Sequence, residues 1–337
     1  MKKLSNDVVI TFDYELFLGV DSGTAEKCII KPVNYILEEF EKYNGKGIFF
    51  VDATYLLTLK KFQHPDFKII SQQIQEIVKR GNNVELHIHP HWLDASPLDN
   101  KRWTFVNFDK YRLHSLTKEN ILSLFLDGKR ILEKIIHKVD PFYKISAFRA
   151  GGWSIVPFDE GLKLAFLKSG IKYDFSVLPG FRKNQLPMHY YDFTSASQVK
   201  PYWRFSNNPN VEDDNGQFVE FPVTTCKLFG VYLLINKLLN SKNKISGDGK
   251  GAVAVNLSNK IKKIFLNQMC LLTIDRCSIY LLMKIIHKVG DRKILTIVSH
   301  PKEFSESSRR NLKFILEKYN TLTLKAINDV VVPLPEN

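Results

Sequence analysis

The feature that most constrains this chain is the alternation of short apolar runs with helix-periodic segments over its first ninety residues. Val8-Val9-Ile10-Thr11-Phe12 is β-rich, and Pro32 to Tyr43 places Val33, Ile36, Leu37 and Phe40 at helical spacing before an Asn44-Gly45 cap. Gly47-Ile48-Phe49-Phe50-Val51 is a second apolar run. Phe67 to Lys79 is helical again and stops at Arg80-Gly81, and Val84 to His89 is a third run. The runs read as buried strands. Strand, helix, strand, helix, strand is the pattern of a parallel α/β architecture.

The same alternation continues downstream. Leu116 to Val139 and Pro157 to Ser169 read as helices, and Ile145 to Arg149, Tyr173 to Leu178 and Phe218 to Val223 read as strands. Ile261 to Val289 is a helical region, Lys293 to Pro301 a last buried strand ending in histidine, and Ser307 to Tyr319 the closing helix. Length alone fits two domains or one α/β barrel. The expectation is one domain over residues 1–337, with loop insertions at about 92–118 and 179–216. Residues 240–251 read as a mobile segment from their Asn, Ser, Lys and Gly content.

Composition narrows the partners. The formal charge of +13 favours anionic molecules, but the lysines sit in helical segments as a solvated surface would place them, and no nucleic-acid motif is present. Cys28, Cys226, Cys270 and Cys277 lack C-x-x-C spacing, which argues against a disulfide framework or thiolate zinc site and suits a reducing compartment. The amino-terminal residues lack the apolar stretch of a secretory signal, and no window reaches about 18 apolar residues. The expected location is the cytoplasm. Peripheral membrane association through Ile261 to Val289 stays open, with packing on the core as the competing reading.

Chemistry gathers at strand ends. Val84-Glu85-Leu86-His87-Ile88-His89-Pro90-His91-Trp92 holds three of the nine histidines. Imidazole is a common neutral metal ligand, and zinc accepts it readily. On an extended strand His87 and His91 would lie roughly 13 Å apart, too far for one ion. A chain that curls after Pro90 returns His91 beside His87; the competing pair is His87 with His89, on one face of the strand. Surface histidines at a strand end are the plain alternative. Asp13 with Glu15, Arg149 and His300 also follow apolar runs, and the carboxyl ends of parallel strands form the functional face.

These stretches resemble the motifs of polysaccharide deacetylases of the NodB homology fold, metal-dependent carbohydrate esterases that remove N- or O-acetyl groups. Thr11-Phe12-Asp13-Tyr14-Glu15 is similar to Thr-Phe-Asp-Asp-Gly, and Gly81 to His91 to Gly-x-Glu-Ile-Gly-x-His-x-x-x-His. Phe148-Arg149-Ala150-Gly151-Gly152 is similar to Arg-x-Pro without its proline, and Val298-Ser299-His300 to Leu-x-His. The resemblance runs from about residue 8 to residue 301 and is nearest to members from bacterial surface-polysaccharide clusters. It implies an irregular (β/α)7-type barrel and a hydrolase acting on an acetylated sugar, nucleotide- or lipid-linked. It makes Asp13 the base that activates water, His300 the acid, and Arg149 the partner of Asp13. The metal ligands become Glu15, His87 and His91, and the metal zinc, with cobalt, manganese or nickel as alternatives. Trp92, Gly151, Gly152 and Trp153 are the expected substrate contacts. Tyr14 stands where the family has its carboxylate ligand, so three alternatives remain open: Glu15 binds the metal, Asp13 binds it while Glu15 is the base, or the metal is lost. Two further alternatives are a metal-free C–N hydrolase of the allantoinase-like type and an inactive glycan-binding barrel. Oligomeric state is not legible.

Overall fold

The apolar runs form one curled sheet. The computed structural model describes residues 6–105, 107–251 and 265–330. Strand order across the nine-stranded sheet is Trp203–Phe205, Phe218–Glu220, Tyr173–Asp174, Ala147–Ala150, Asn83–Ile88, Ile48–Asp52, Asp7–Tyr14 and Ile294–Ser299, with Asn320–Thr321 added beside Asp7–Tyr14. Every pairing is parallel except that of Trp203–Phe205 with Phe218–Glu220. The two ends of the sheet are stitched together just past Glu220. Thr224 N donates to Thr296 O at 3.0 Å, and Leu272 bridges Thr224 and Val298 through backbone bonds of 2.7 and 3.2 Å. The result is the expected irregular (β/α)7-type α/β barrel.

Period-two alternation sorts the strand side chains into two cores. Val9, Ile48, Phe50, Phe175, Val219 and Phe221 fill the barrel, where Leu324 and Ile327 of the final helix (Leu324–Val330) plug the end at which the strands begin. Ile10, Phe12 and Tyr14 point the other way, into a larger core with the helices Lys31–Tyr43, Asp66–Lys79 and Lys118–Ile136. Blocked at its amino-terminal end, the barrel opens at its carboxyl-terminal mouth.

Several expectations need correction. Asn267–Leu271, expected within a helix from Ile261, is a strand paired antiparallel with Thr225–Phe229; the helix there spans only Ile279–Val289. Residues 261–264 of that expectation lie outside the described residues. Ala53–Lys61 and Gly230–Leu239 are helices that the apolar pattern did not reveal. The insertion at 92–118 contains a short hairpin, Ala95–Pro97 with Trp103–Phe105, and that at 179–216 another, Arg182–Gln185 with His189–Asp192. Residues 240–251 make backbone bonds to the barrel rim. Ser246 N and Gly247 N donate to Phe304 O and Lys302 O, and Lys250 N to Asp21 O. A Cβ on Gly247 would sit 2.5 Å from both Lys302 O and the Phe17 ring, so glycine here serves close approach rather than freedom.

Candidate active site

Register builds one layer across the mouth. Tyr14 pairs with Val51, which puts Glu15 level with Asp52; Asp52 pairs with His87, and His87 with Arg149. Phe12 pairs with Ser299, which brings His300 to the level of Asp13. Asp13 shares the inward face of Val9 and Thr11, whereas Tyr14 points outward and its hydroxyl donates to Gln73 Oε1 at 2.8 Å. Tyr14 therefore takes no place in the site, and the longer Glu15 is the carboxylate that reaches in.

Arg149 is wholly buried and anchors Asp13. Its guanidinium donates to Asp13 Oδ1 (2.5 Å), Thr11 Oγ1 (2.8 Å) and Phe175 O (3.0 Å), and its Cζ lies 4.4 Å from the centre of the Phe50 ring. Burial alone would raise the Asp13 carboxyl; Arg149 and then His300 outweigh it and hold the group well below the carboxylate range. His300 Nδ1 lies 3.0 Å from Asp275 Oδ2, and its Nε2 lies 3.4 Å from Asp13 Oδ2. Burial would depress this imidazole, but hydrogen bonds to Asp13 and Asp275 raise it well above its ordinary value. Its side chain is 25% exposed, so the proton it carries is within reach of a bound molecule.

Glu15 is the hub. Its Oε1 accepts from Lys302 Nζ at 2.8 Å, and its Oε2 lies 3.3 Å from His87 Nε2 and 3.1 Å from His89 Nε2. Burial opposes ionisation, yet Lys302 and then His87 hold the carboxyl well below its usual range. His87 Nδ1 lies 2.7 Å from Arg149 O. A carbonyl only accepts, so Nδ1 carries a proton, and Nε2 faces the Glu15 carboxylate. Burial would lower this imidazole, but Glu15 and then Asp13 raise it above its ordinary value, which favours a second proton at Nε2; the neutral ring would turn a lone pair there. Two acceptors facing each other need a proton or a cation between them. His89 also turns Nε2 toward Glu15, while its Nδ1 is unbonded and lies 4.0 Å from the equally unbonded Asp52 Oδ2. Burial, only partly offset by His87 and Thr54, pushes Asp52 up to about 6.

The ligand atoms of Glu15, His87 and His89 all lie within 4.8 Å of one another, as do those of Asp13, Glu15 and His300. Two imidazoles and a carboxylate at this spacing fit a borderline divalent ion such as zinc. His91 is in neither group. Its turn, Pro90–Asp94, carries the ring into aromatic packing, stacked on Tyr111 at 5.2 Å and edge-on to Phe105 at 4.7 Å, with neither nitrogen hydrogen-bonded. Of the two histidine pairings, the structure brings His87 and His89 to Glu15.

The expected substrate contacts divide. Trp92 is 1% exposed and packs against Tyr55, Trp103 and Phe105, so it is a core residue rather than a wall of the cavity. Gly152 and Trp153 line a cavity of about 190 Å³ over the site, together with Tyr111 and His189 from the two insertions. Gly151 lies beneath it: a Cβ there would fall 2.4 Å from Ile88 O and 2.5 Å from the His89 ring. Glycine at 151 is what lets His89 turn inward.

Lys302 and Asp275 went unread in the sequence. Asp275 follows the hairpin in a connector with no periodicity. Lys302 had a local signal, since His300-Pro301 opens a short turn as His89-Pro90 does, and that turn carries Lys302 back to Glu15 at the mouth.

No protein-family model matches the chain, and no curated protein matches it in sequence. Solved structures do. A 4-alpha-glucanotransferase from Thermococcus litoralis aligns over 99% of this chain and 41% of its own, at 13% identity and a TM-score of 0.54. A putative polysaccharide deacetylase from Mycobacterium smegmatis aligns over 100% and 96%, at 12% identity and a TM-score of 0.48. A family 4 carbohydrate esterase from Streptomyces lividans, in complex with acetate, aligns over 52% and 65%, at 12% identity and a TM-score of 0.32. The chain thus spans about two fifths of the glucanotransferase and 65% of the esterase. At such identities a shared barrel does not carry a shared reaction, and the chemistry has to be argued from the side chains.

Proposed function

We propose that this chain is a metal-dependent hydrolase that removes an acetyl group from an N- or O-acetylated sugar, nucleotide- or lipid-linked, in bacterial surface-polysaccharide biosynthesis. The observation that carries the reading is the meeting of the Asp13 carboxylate, the His300 imidazole and a His–His–Glu group at one barrel mouth, from strands nearly the whole chain apart. A divalent ion held by Glu15, His87 and His89 would supply a Lewis acid that polarises the acyl carbonyl.

The chain's own residues divide the proton work. Asp13 stays ionised at neutral pH, with Oδ1 fixed by Arg149 and Oδ2 turned toward His300, and takes a proton from the attacking water. His300 carries a proton at neutral pH and gives it to the departing amine or alkoxide, while Asp275 holds its ring through Nδ1. Lys302 and the two imidazoles hold Glu15 in place. The small polar cavity suits an acetyl head, with Tyr111, His189 and Trp153 as walls for the adjoining ring. Acetate release from N-acetylated sugar nucleotides tests the reading. Asp13→Asn should lower kcat/KM by about a thousandfold. Equal turnover by the wild type and Asp13→Asn, or none by either on any acetylated sugar, would remove the assignment.

A further inference from the structure

A second feature of the molecule lies outside this chemistry. The helix Gly230–Leu239 (Gly-Val-Tyr-Leu-Leu-Ile-Asn-Lys-Leu-Leu) is apolar on nearly every side, yet Gly230 is its only buried residue. Helices of that kind usually lie in a core or in lipid. Leu238 is 67% exposed and Leu239 60%, and Phe229, Leu266, Ile279 and Met283 beside them are exposed as well. The segments that carry them adjoin. Gly230 N donates to Leu266 O at 3.0 Å, the Tyr232 and Tyr280 rings lie 6.1 Å apart, and Asn236 Nδ2 donates to Arg276 O at 3.1 Å. The patch exceeds the scattered apolar residues of an ordinary surface.

Its charge is one-sided. From Phe221 to Gly247 there is no acidic residue, against Lys227, Lys237, Lys242 and Lys244. From Phe265 to Gly290 the only acid is Asp275, which is buried on His300, against Arg276, Lys284 and Lys288. Lys284 Nζ lies 5.6 Å from both tyrosine ring centres, the mix of aromatic and cationic groups suited to a lipid–water boundary. Beside the helix end is a cavity of about 580 Å³ lined by Asn236, Lys237, Asn240, Lys244 and Arg276 and by no carboxylate. Arg276 also pairs with Glu303 at 3.1 Å. A second copy of the chain is a poor occupant, because a two-fold contact would set these lysines against themselves.

We infer that this face docks on an anionic phospholipid bilayer, its apolar side chains entering the interface and its lysines and the adjoining cavity taking headgroup phosphates. Asn236 and Asn240 bind the carbonyl of Arg276, next to the Asp275 that holds His300, so docking would set the barrel mouth beside the membrane surface. Among the described residues no helix is long and apolar enough to cross a membrane. The contact proposed is peripheral.

Co-sedimentation of the full chain with vesicles of phosphatidylcholine, with and without phosphatidylglycerol, tests it independently of any turnover. The wild type should partition at least about tenfold more strongly to the anionic vesicles and be released by salt. The pair Leu238→Glu with Leu239→Glu should abolish binding, and Lys237→Glu with Lys244→Glu should erase the anionic preference. All four positions are exposed, so thermal midpoints should hold, and a collapsed midpoint would disqualify this account of the face. Failure of the wild type to bind either vesicle overturns the proposal. So does a wild-type dimer in sedimentation velocity that the leucine pair converts to monomer, since a second copy would then be the occupant.

Discussion

On one side of the barrel Asp13 and Glu15 end their strand beside Arg149, Lys302 and His300; on the other Asp174 and Glu220 face each other in register across two short strands. All four carboxyls are buried. In the first pair, guanidinium, ammonium and imidazole overcome burial and the acids are held ionised. In the second, burial prevails: Asp174 is raised, and Glu220 is raised further by its neighbour, against hydrogen bonds from Ser176 and the Phe175 and Val177 amides. The same residue type, buried near a strand end, is held ionised in one place and is made a weaker acid in the other. A cation delivered from elsewhere in the chain decides which.

The largest effect should come from removing that cation. Arg149→Met leaves the Asp13 charge buried without a partner and should cost about 3–5 kcal/mol in urea unfolding. Adding Asp13→Asn should recover most of it; failure to recover would mean that Arg149 acts through Thr11 and Phe175 instead. A smaller effect is expected in the second pair, and it depends on pH. Raised carboxyl pKa values mean that the folded state keeps protons the unfolded chain has lost above its own values of 3.8 and 4.5, so stability falls as pH rises. Asp174→Asn with Glu220→Gln should flatten that fall above the unfolded values. The depressed pair runs the other way, present above the unfolded values and lost as pH falls through the folded ones. An unchanged slope in the double variant would erase the contrast between the two sides. The smallest change is Tyr14→Phe, which should cost about 1 kcal/mol through the Gln73 bond and leave metal content untouched.

Most of the barrel was legible because parallel strands buried on both faces read as continuous apolar runs with helical periods between them. The parts that were not legible have physical reasons. Asn267–Leu271 pairs as a hairpin through long-range contacts that its apolar content does not encode, and Asp52 hides the start of Ala53–Lys61 by serving as both strand end and helix cap. Within the site, Asp13, Glu15, Arg149, His87 and His300 meet at one mouth. His91 does not join Glu15 with them, because the turn after Pro90 sends it against Tyr111 while Gly151 opens room for His89. A one-dimensional motif gives the spacing of histidines, but which ring turns inward depends on a glycine some sixty residues on.

The choice between those rings is the most direct test of the account. Elemental analysis of the purified chain, His89→Ala and His91→Ala should find about one divalent ion per chain in the wild type and in His91→Ala, and a loss of that ion in His89→Ala. A wild type that takes up no metal, or a His91→Ala variant that loses it while His89→Ala keeps it, would contradict the Glu15–His87–His89 centre.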